Sequence, residues 1–160
     1  MPLLAIEGQM MQRVADELIR VVVEAANQLR TVGEAVAAAK VRPDVWSIKE
    51  IVGHLIDSAA NNHQRFVRAQ QTDAFASPGY EQDTWVRLQG YQDRPWLELI
   101  EFWALYNHQL SHVIRRIPEP ALGVTCRIGA NESVTLSFLV EDYLVHLRHH
   151  LKQIEERRAA

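Results

Sequence analysis

A chain of 160 residues, 48% hydrophobic and 23% charged, is long enough to bury one apolar core without disulfides, and its composition is that of a globular protein. Its 17 basic and 20 acidic residues are interspersed and leave a net charge of -3, so there is no basic face for nucleic acid and no polybasic run for a membrane surface. The single cysteine, Cys126, forms no internal disulfide and no cysteine zinc cage; with a start, Met1 to Glu7, that reads as no signal peptide, and no apolar run of membrane-spanning length, the expectation is a cytoplasmic protein.

One domain is expected over residues 1–160, built from four long periodic segments. The first runs from Gln9 to Ala39, with Met11, Val14, Leu18, Val21/Val22, Ala25 and Leu29 recurring at three- and four-residue steps on one helical face. Arg42-Pro43-Asp44 breaks it. The second begins at Ser47, an N-cap with Glu50 three residues on, the pair that satisfies two orphan amides in a capping box. Trp46 and Ile51 stand where a hydrophobic staple forms, and the helix continues to Gln70. The third begins near Asp93-Arg94-Pro95, and its seam is Trp96, Leu99, Trp103, Tyr106, Leu110, Val113 and Ile117 before Pro118 and Pro120 stop it. The fourth spans Thr135 to Arg157, with a seam of Leu136, Val140, Tyr143, Leu147, His150 and Ile154.

Four helices with one apolar stripe each bury those stripes best against one another, which predicts an all-α four-helix bundle. Two connections are long. Gln71 to Gln92 carries Tyr80, Trp85 and Tyr91 and has room for a short helix over Asp83 to Gln89. Pro118 to Val134 carries Val124, Cys126 and Ile128, whose alternation suggests a short extended piece. Loops of this length in a compact bundle often cover a site, and the three aromatics either line a substrate pocket or plug one end of the bundle.

The chain has seven histidines, and helical phase sorts them. His108 and His112 are four apart, but each lies two positions from Leu110 and so on the solvent side of the third helix. On the fourth helix His150 is itself a seam position, and His146 lies one turn before it. Buried imidazoles need partners for their ring nitrogens, which can be a polar network or a metal ion. His54 flanks the apolar stripe of the second helix and meets the same layer if the two helices run antiparallel. Three converging imidazoles suit zinc, nickel or a similar divalent ion, with one coordination position left open for water or substrate. His149 points away from the seam, and His63 reads as a polar contact beneath the loop. No glutamate follows His146, none stands three residues before any histidine, and there is no phosphate-binding glycine loop or nucleophile elbow, so zincins, di-iron bundles and those other enzyme classes are excluded.

Two stretches resemble the DinB/YfiT-like superfamily of small bacterial metalloproteins: Trp46-Ser47-Ile48-Lys49-Glu50-Ile51-Val52-Gly53-His54-Leu55-Ile56-Asp57, and Asp142 to Gln153, which contains the pattern His146-x-x-His149-His150-x-x-Gln153. The resemblance implies an up-down-down-up four-helix bundle, commonly a homodimer, with a metal triad at His54, His146 and His150. It also implies an activity related to thiol transferases and isomerases that use bacillithiol, mycothiol or glutathione, with a low-molecular-weight thiol as co-substrate. Asp57, three residues after His54, and Asp142, four before His146, are candidates to orient an imidazole or take a proton, or else are helix-surface carboxylates. Gln153 is a candidate hydrogen-bond partner for a ligand, and Cys126 a nucleophile only if it approaches the metal. The alternative to an enzyme acting on a small molecule through a metal-activated thiol or water is a binding module for metal or thiol, or a structural bundle whose histidines satisfy one another.

Overall fold

The computed structural model of the chain describes the backbone of residues 3–159 and the side chains of residues 9–159. Four long helices form the body: α1 (Leu3–Leu29), α3 (Ile48–Ala69), α5 (Trp96–Arg115) and α7 (Leu136–Ala159), with short helices α2 (Glu34–Ala38), α4 (Gln82–Gln89) and α6 (Glu119–Leu122) in the connections. The first helix does not continue to Ala39 as its periodicity suggested. It ends at Leu29, and Gly33 is extended before α2 begins. Trp96 sits at the stop: its indole N–H lies 3.3 Å from the Leu29 carbonyl, which also accepts the Val32 amide, and 3.0 Å from the Val32 carbonyl, so the chain leaving α1 is held against α5. Pro95 is the N-cap of α5 rather than a first-turn residue.

The start of α3 is fixed as the capping box requires. Ser47 Oγ accepts from the Glu50 amide at 3.1 Å, and the Ser47 amide donates back to Glu50 Oε2 at 2.8 Å. Ser47 Oγ also donates to Gln92 Oε1 at 2.6 Å, and the buried Lys49 donates to the Arg94 carbonyl at 2.6 Å and pairs with Glu34. The same few residues therefore tie the head of α3 to the segment entering α5.

Side-chain pairs fix the helix directions. Ser111 Oγ donates to the Ala15 carbonyl while Trp96 meets Leu29, so α1 and α5 are antiparallel. Lys49 meets Arg94 and His63 meets Tyr106, so α3 and α5 are parallel. Phe66 meets Tyr143 while His54 meets His150, so α3 and α7 are antiparallel. Glu17 pairs with Arg148 and Arg158 donates to Thr31, so α1 and α7 are parallel. This is the up-down-down-up bundle. It places α3 beside α7, although α5 lies between them in the chain.

The core runs the length of the bundle through Leu18, Ile51, Phe66, Trp96, Trp103 and Leu110, all nearly inaccessible to solvent. Each such side chain contributes on the order of 1.5–3 kcal/mol by leaving water. Within it the Tyr143 hydroxyl donates to Asn107 Oδ1 at 2.5 Å, which satisfies a buried amide. No helix among the described residues is long and apolar enough to cross a membrane.

The two long connections are not independent. β1 (Ala74–Ser77) pairs in parallel with β2 (Thr125–Ile128), with Phe75 opposite Cys126, and β2 pairs antiparallel with β3 (Val134–Thr135). The alternation around Cys126 was visible in the sequence, but its partner β1 was not. Four residues, Ala-Phe-Ala-Ser, carry too little periodicity to be read as a strand.

Candidate metal centre

His54 and Ser58 lie one turn apart on α3, and His146 and His150 one turn apart on α7; the antiparallel packing of the two helices brings these four side chains together. His54 Nε2 lies 3.2 Å from His146 Nε2, and His146 Nε2 lies 3.1 Å from His150 Nε2. One nitrogen from each of the three rings lies within 4.8 Å of the other two. His54 is fully buried and His150 is 8% exposed.

The outer nitrogens show how the rings are held. His150 Nδ1 lies 2.9 Å from Gln153 Oε1, an atom that can only accept, so Nδ1 carries the proton and Nε2 presents a lone pair to the cluster. The Gln153 amide also donates to His149 at 3.1 Å, which places exposed His149 behind the centre rather than in it. His146 Nδ1 lies 3.5 Å from Ser58 Oγ. His54 Nδ1 is buried with no partner among the described residues. Trp46 roofs the cluster, its ring 5.0 Å from that of His54 and 6.5 Å from that of His150.

The electrostatics keep these rings neutral. Burial, then the neighbouring His150 and His146, push His54 down to about 3. Burial, then His150 and His149, push His146 down to about 4, and burial likewise lowers His150 despite the Gln153 bond. Neutral imidazoles are the form a metal ion requires.

The donor set fits a cation better than it fits a proton network. A proton shared between His146 and His150 satisfies one short N···N edge and leaves the other without a donor and acceptor pair. An ion with nitrogens at about 2.0–2.1 Å has neighbouring ligands about 2.8–3.4 Å apart, from octahedral to tetrahedral geometry, which spans both edges. The three histidines can therefore hold a metal ion.

The two carboxylates are placed differently. Asp57 is 1% exposed, but no hydrogen bond joins it to His54. Its Oδ1 accepts from the Tyr91 hydroxyl at 2.6 Å and from the Gln89 amide at 3.1 Å, while its Oδ2 is buried with no partner among the described residues. Burial raises the Asp57 pKa, partly offset by those two hydrogen bonds. Asp142 is exposed and lies on the wall of a cavity of about 290 Å³ that also reaches Ser58, His146 and Tyr80. Trp85 packs on Tyr80 with ring centroids 5.0 Å apart, and Tyr91 faces Asp57 rather than this cavity. His63 contacts the Tyr106 hydroxyl at 3.2 Å, His108 and His112 are exposed, and buried Cys126 bonds the Val124 carbonyl just before β2.

Sequence reading missed Ser58, Gln89 and Gly53, and offered Tyr91 as a pocket or plug residue rather than as a partner of Asp57. Ser58 is one turn from His54, so the spacing that paired the other histidines could have found it. Tyr91 and Gln89 reach Asp57 across more than thirty residues of chain, for which there was no local signal. Gly53 is needed for space: a Cβ there would lie 2.1 Å from the Tyr91 ring and 2.8 Å from the Tyr91 Cβ.

Among solved structures the chain is similar to YfiT from Bacillus subtilis, described as a probable metal-dependent hydrolase with an unusual four-helix bundle topology. The sequence identity is 20% and the TM-score 0.77, over 89% of this chain and 85% of that one. No curated protein matches it in sequence. The family model of the DinB superfamily matches residues 16–154, which takes in the capped head of α3, all three histidines and Gln153. The chain belongs to the DinB superfamily.

Proposed function

We propose that this protein is a metal-dependent hydrolase of small molecules in which His54, His146 and His150 hold one divalent ion, zinc or nickel. The observation that carries the reading is the set of Nε2 contacts at 3.2 and 3.1 Å, which one cation satisfies and shared protons do not. The similarity in fold to YfiT points the same way. Such an ion, when bound, lowers the pKa of a coordinated water or thiol and supplies a nucleophile near neutral pH.

The chain's own residues prepare the rest. Gln153 and Ser58 orient two of the rings, and Trp46 screens the third from water. Asp57 keeps one carboxylate oxygen free inside the bundle, held in place by Tyr91 and Gln89, and serves as the group that holds a proton during turnover. Asp142 faces the cavity from its solvent side.

Elemental analysis of untagged protein tests the centre. One ion per chain is expected, and none in His54→Ala. The loaded chain is then assayed against ester and amide libraries, alone and with bacillithiol, mycothiol or glutathione. Hydrolysis without thiol, lost in His54→Ala, supports the reading; turnover only with a thiol makes the protein an S-transferase. A loaded chain inert in every arm is a binding module.

A further inference from the structure

The cavity beside His146 is lined by a cation, Arg65, that forms no ion pair among the described residues. Arg20, Arg30, Arg94, Arg115 and Arg148 each have a carboxylate partner on the surface. Arg65 is half-buried and makes no ion pair or hydrogen bond among the described residues, yet it lines the same cavity as His146. Withdrawing a guanidinium from water without a partner is costly, and burial lowers the Arg65 pKa although the group stays charged. Tyr80 lies close enough to feel the guanidinium, yet burial pushes its hydroxyl up to about 12, so it remains a neutral donor. Asn62 completes a polar wall between Arg65 and the imidazoles.

Helical spacing gives the wall its direction. His54, Ser58, Asn62 and Arg65 stand at steps of four, four and three on α3, one face of the helix. Along it the Cα atoms of His54 and Arg65 are separated by roughly 16 Å, and the arginine side chain leans back toward the helix start.

We infer that the substrate carries a carboxylate at the end remote from its reacting bond, and that Arg65, with the Tyr80 hydroxyl beside it, binds that carboxylate. The inference rests on the metal-centre reading given above. A singly charged group is favoured over a phosphate because Asp142 lines the same cavity, and a dianion would meet its charge. Arg65 is a specificity residue here: it selects the substrate without touching the bond that breaks.

The test uses aliphatic hydroxamates of graded length on the zinc-loaded full chain, each made with a methyl, a carboxylate or a phosphonate at the far end, with affinities read by calorimetry. At the best-fitting length the carboxylate probe is expected to bind ten-fold or more tighter than its methyl counterpart. That preference disappears in Arg65→Gln and partly survives in Arg65→Lys. Equal affinity in the parent chain, or a preference unchanged in Arg65→Gln, overturns the inference, and tighter binding of the phosphonate overturns the choice of a monoanion. If no hydroxamate of any kind binds, the metal centre has failed instead. The arginine is then decided on the metal-free chain by its Nε–H resonance under propionate titration: a saturable shift of the Arg65 signal supports the assignment and its absence overturns it.

Discussion

His150 donates its Nδ1 proton to the Gln153 amide oxygen at 2.9 Å, three residues further along the same helix. That one bond selects the tautomer, because a neutral ring protonated at Nδ1 has its lone pair at Nε2, where His146 and His54 converge. Gln153→Ala removes the selection but none of the three ligands. Metal affinity is expected to fall about 10–100-fold, with little change in the stability of the metal-free chain. Competition with a chromophoric chelator measures it. An affinity unchanged in Gln153→Ala would show that the ring is oriented by its packing alone.

Gly53 allows Tyr91 to lie against α3. The Cβ of an alanine at this position would sit 2.1 Å from Tyr91 Cδ2 and 2.8 Å from its Cβ, and the latter cannot move without the backbone. Gly53→Ala should therefore expel the ring, break the 2.6 Å bond to Asp57, and leave that carboxylate with the Gln89 amide alone. Alanine normally favours a helix by up to about 1 kcal/mol over glycine. Here overpacking should outweigh it, with a net loss of about 1–3 kcal/mol in denaturant melts. A stabilised Gly53→Ala chain would refute the steric argument.

The parts of this fold that could be read from sequence are those encoded locally. The capping box at Ser47 and Glu50, the break at Pro118 and the helical phase of His54, His146 and His150 each follow from residues within a few positions of one another. Phase alone placed His150 on the seam and His108 and His112 outside it. What stayed hidden depends on contacts between distant segments. The chain leaving α1 is held against α5 by Trp96, and β1 exists because β2 offers it a parallel edge. Asp57 illustrates the same limit: its spacing suggested a bond to His54, whereas Tyr91 and Gln89 bind it from the connection. Arg65 shares the helical face of His54, which its spacing shows, but the cavity in front of it exists only because the connection carrying Tyr80 closes over that face.

Ser47 joins two elements as well as capping one. Its Oγ accepts from the Glu50 amide and donates to Gln92, so Ser47→Ala leaves an amide and a half-buried carboxamide oxygen short of a partner. The cap alone is worth about 1 kcal/mol, and the lost Gln92 bond adds to it, for a total of about 1–3 kcal/mol. Because the head of α3 carries Trp46 and His54, metal affinity should fall as well. Urea melts of the metal-free chain and chelator competition together check both. A stability loss below the cap value would mean that water replaces the Gln92 contact.

The pH dependence of the metal-free chain follows from the depressed histidines. His54 and His146 sit near 3 and 4 in the folded chain against an ordinary value of 6.5. The unfolded chain therefore binds more protons between those limits. Their contribution to stability is complete above pH 6.5 and is lost as pH falls toward the folded values, at up to about 1.4 kcal/mol per pH unit for each group. Melts with chelator present should show the decline from pH 6.5 to 4.5. His54→Leu, which cannot titrate, should show a shallower slope after other carboxylates are accounted for by the parent chain. Zinc at a thousand times its dissociation constant should raise stability by about 4 kcal/mol at pH 7, and the gain should disappear in His54→Leu. If the parent and His54→Leu chains lose stability with identical slopes, His54 is not held neutral by burial, and the basis for its low proton affinity fails.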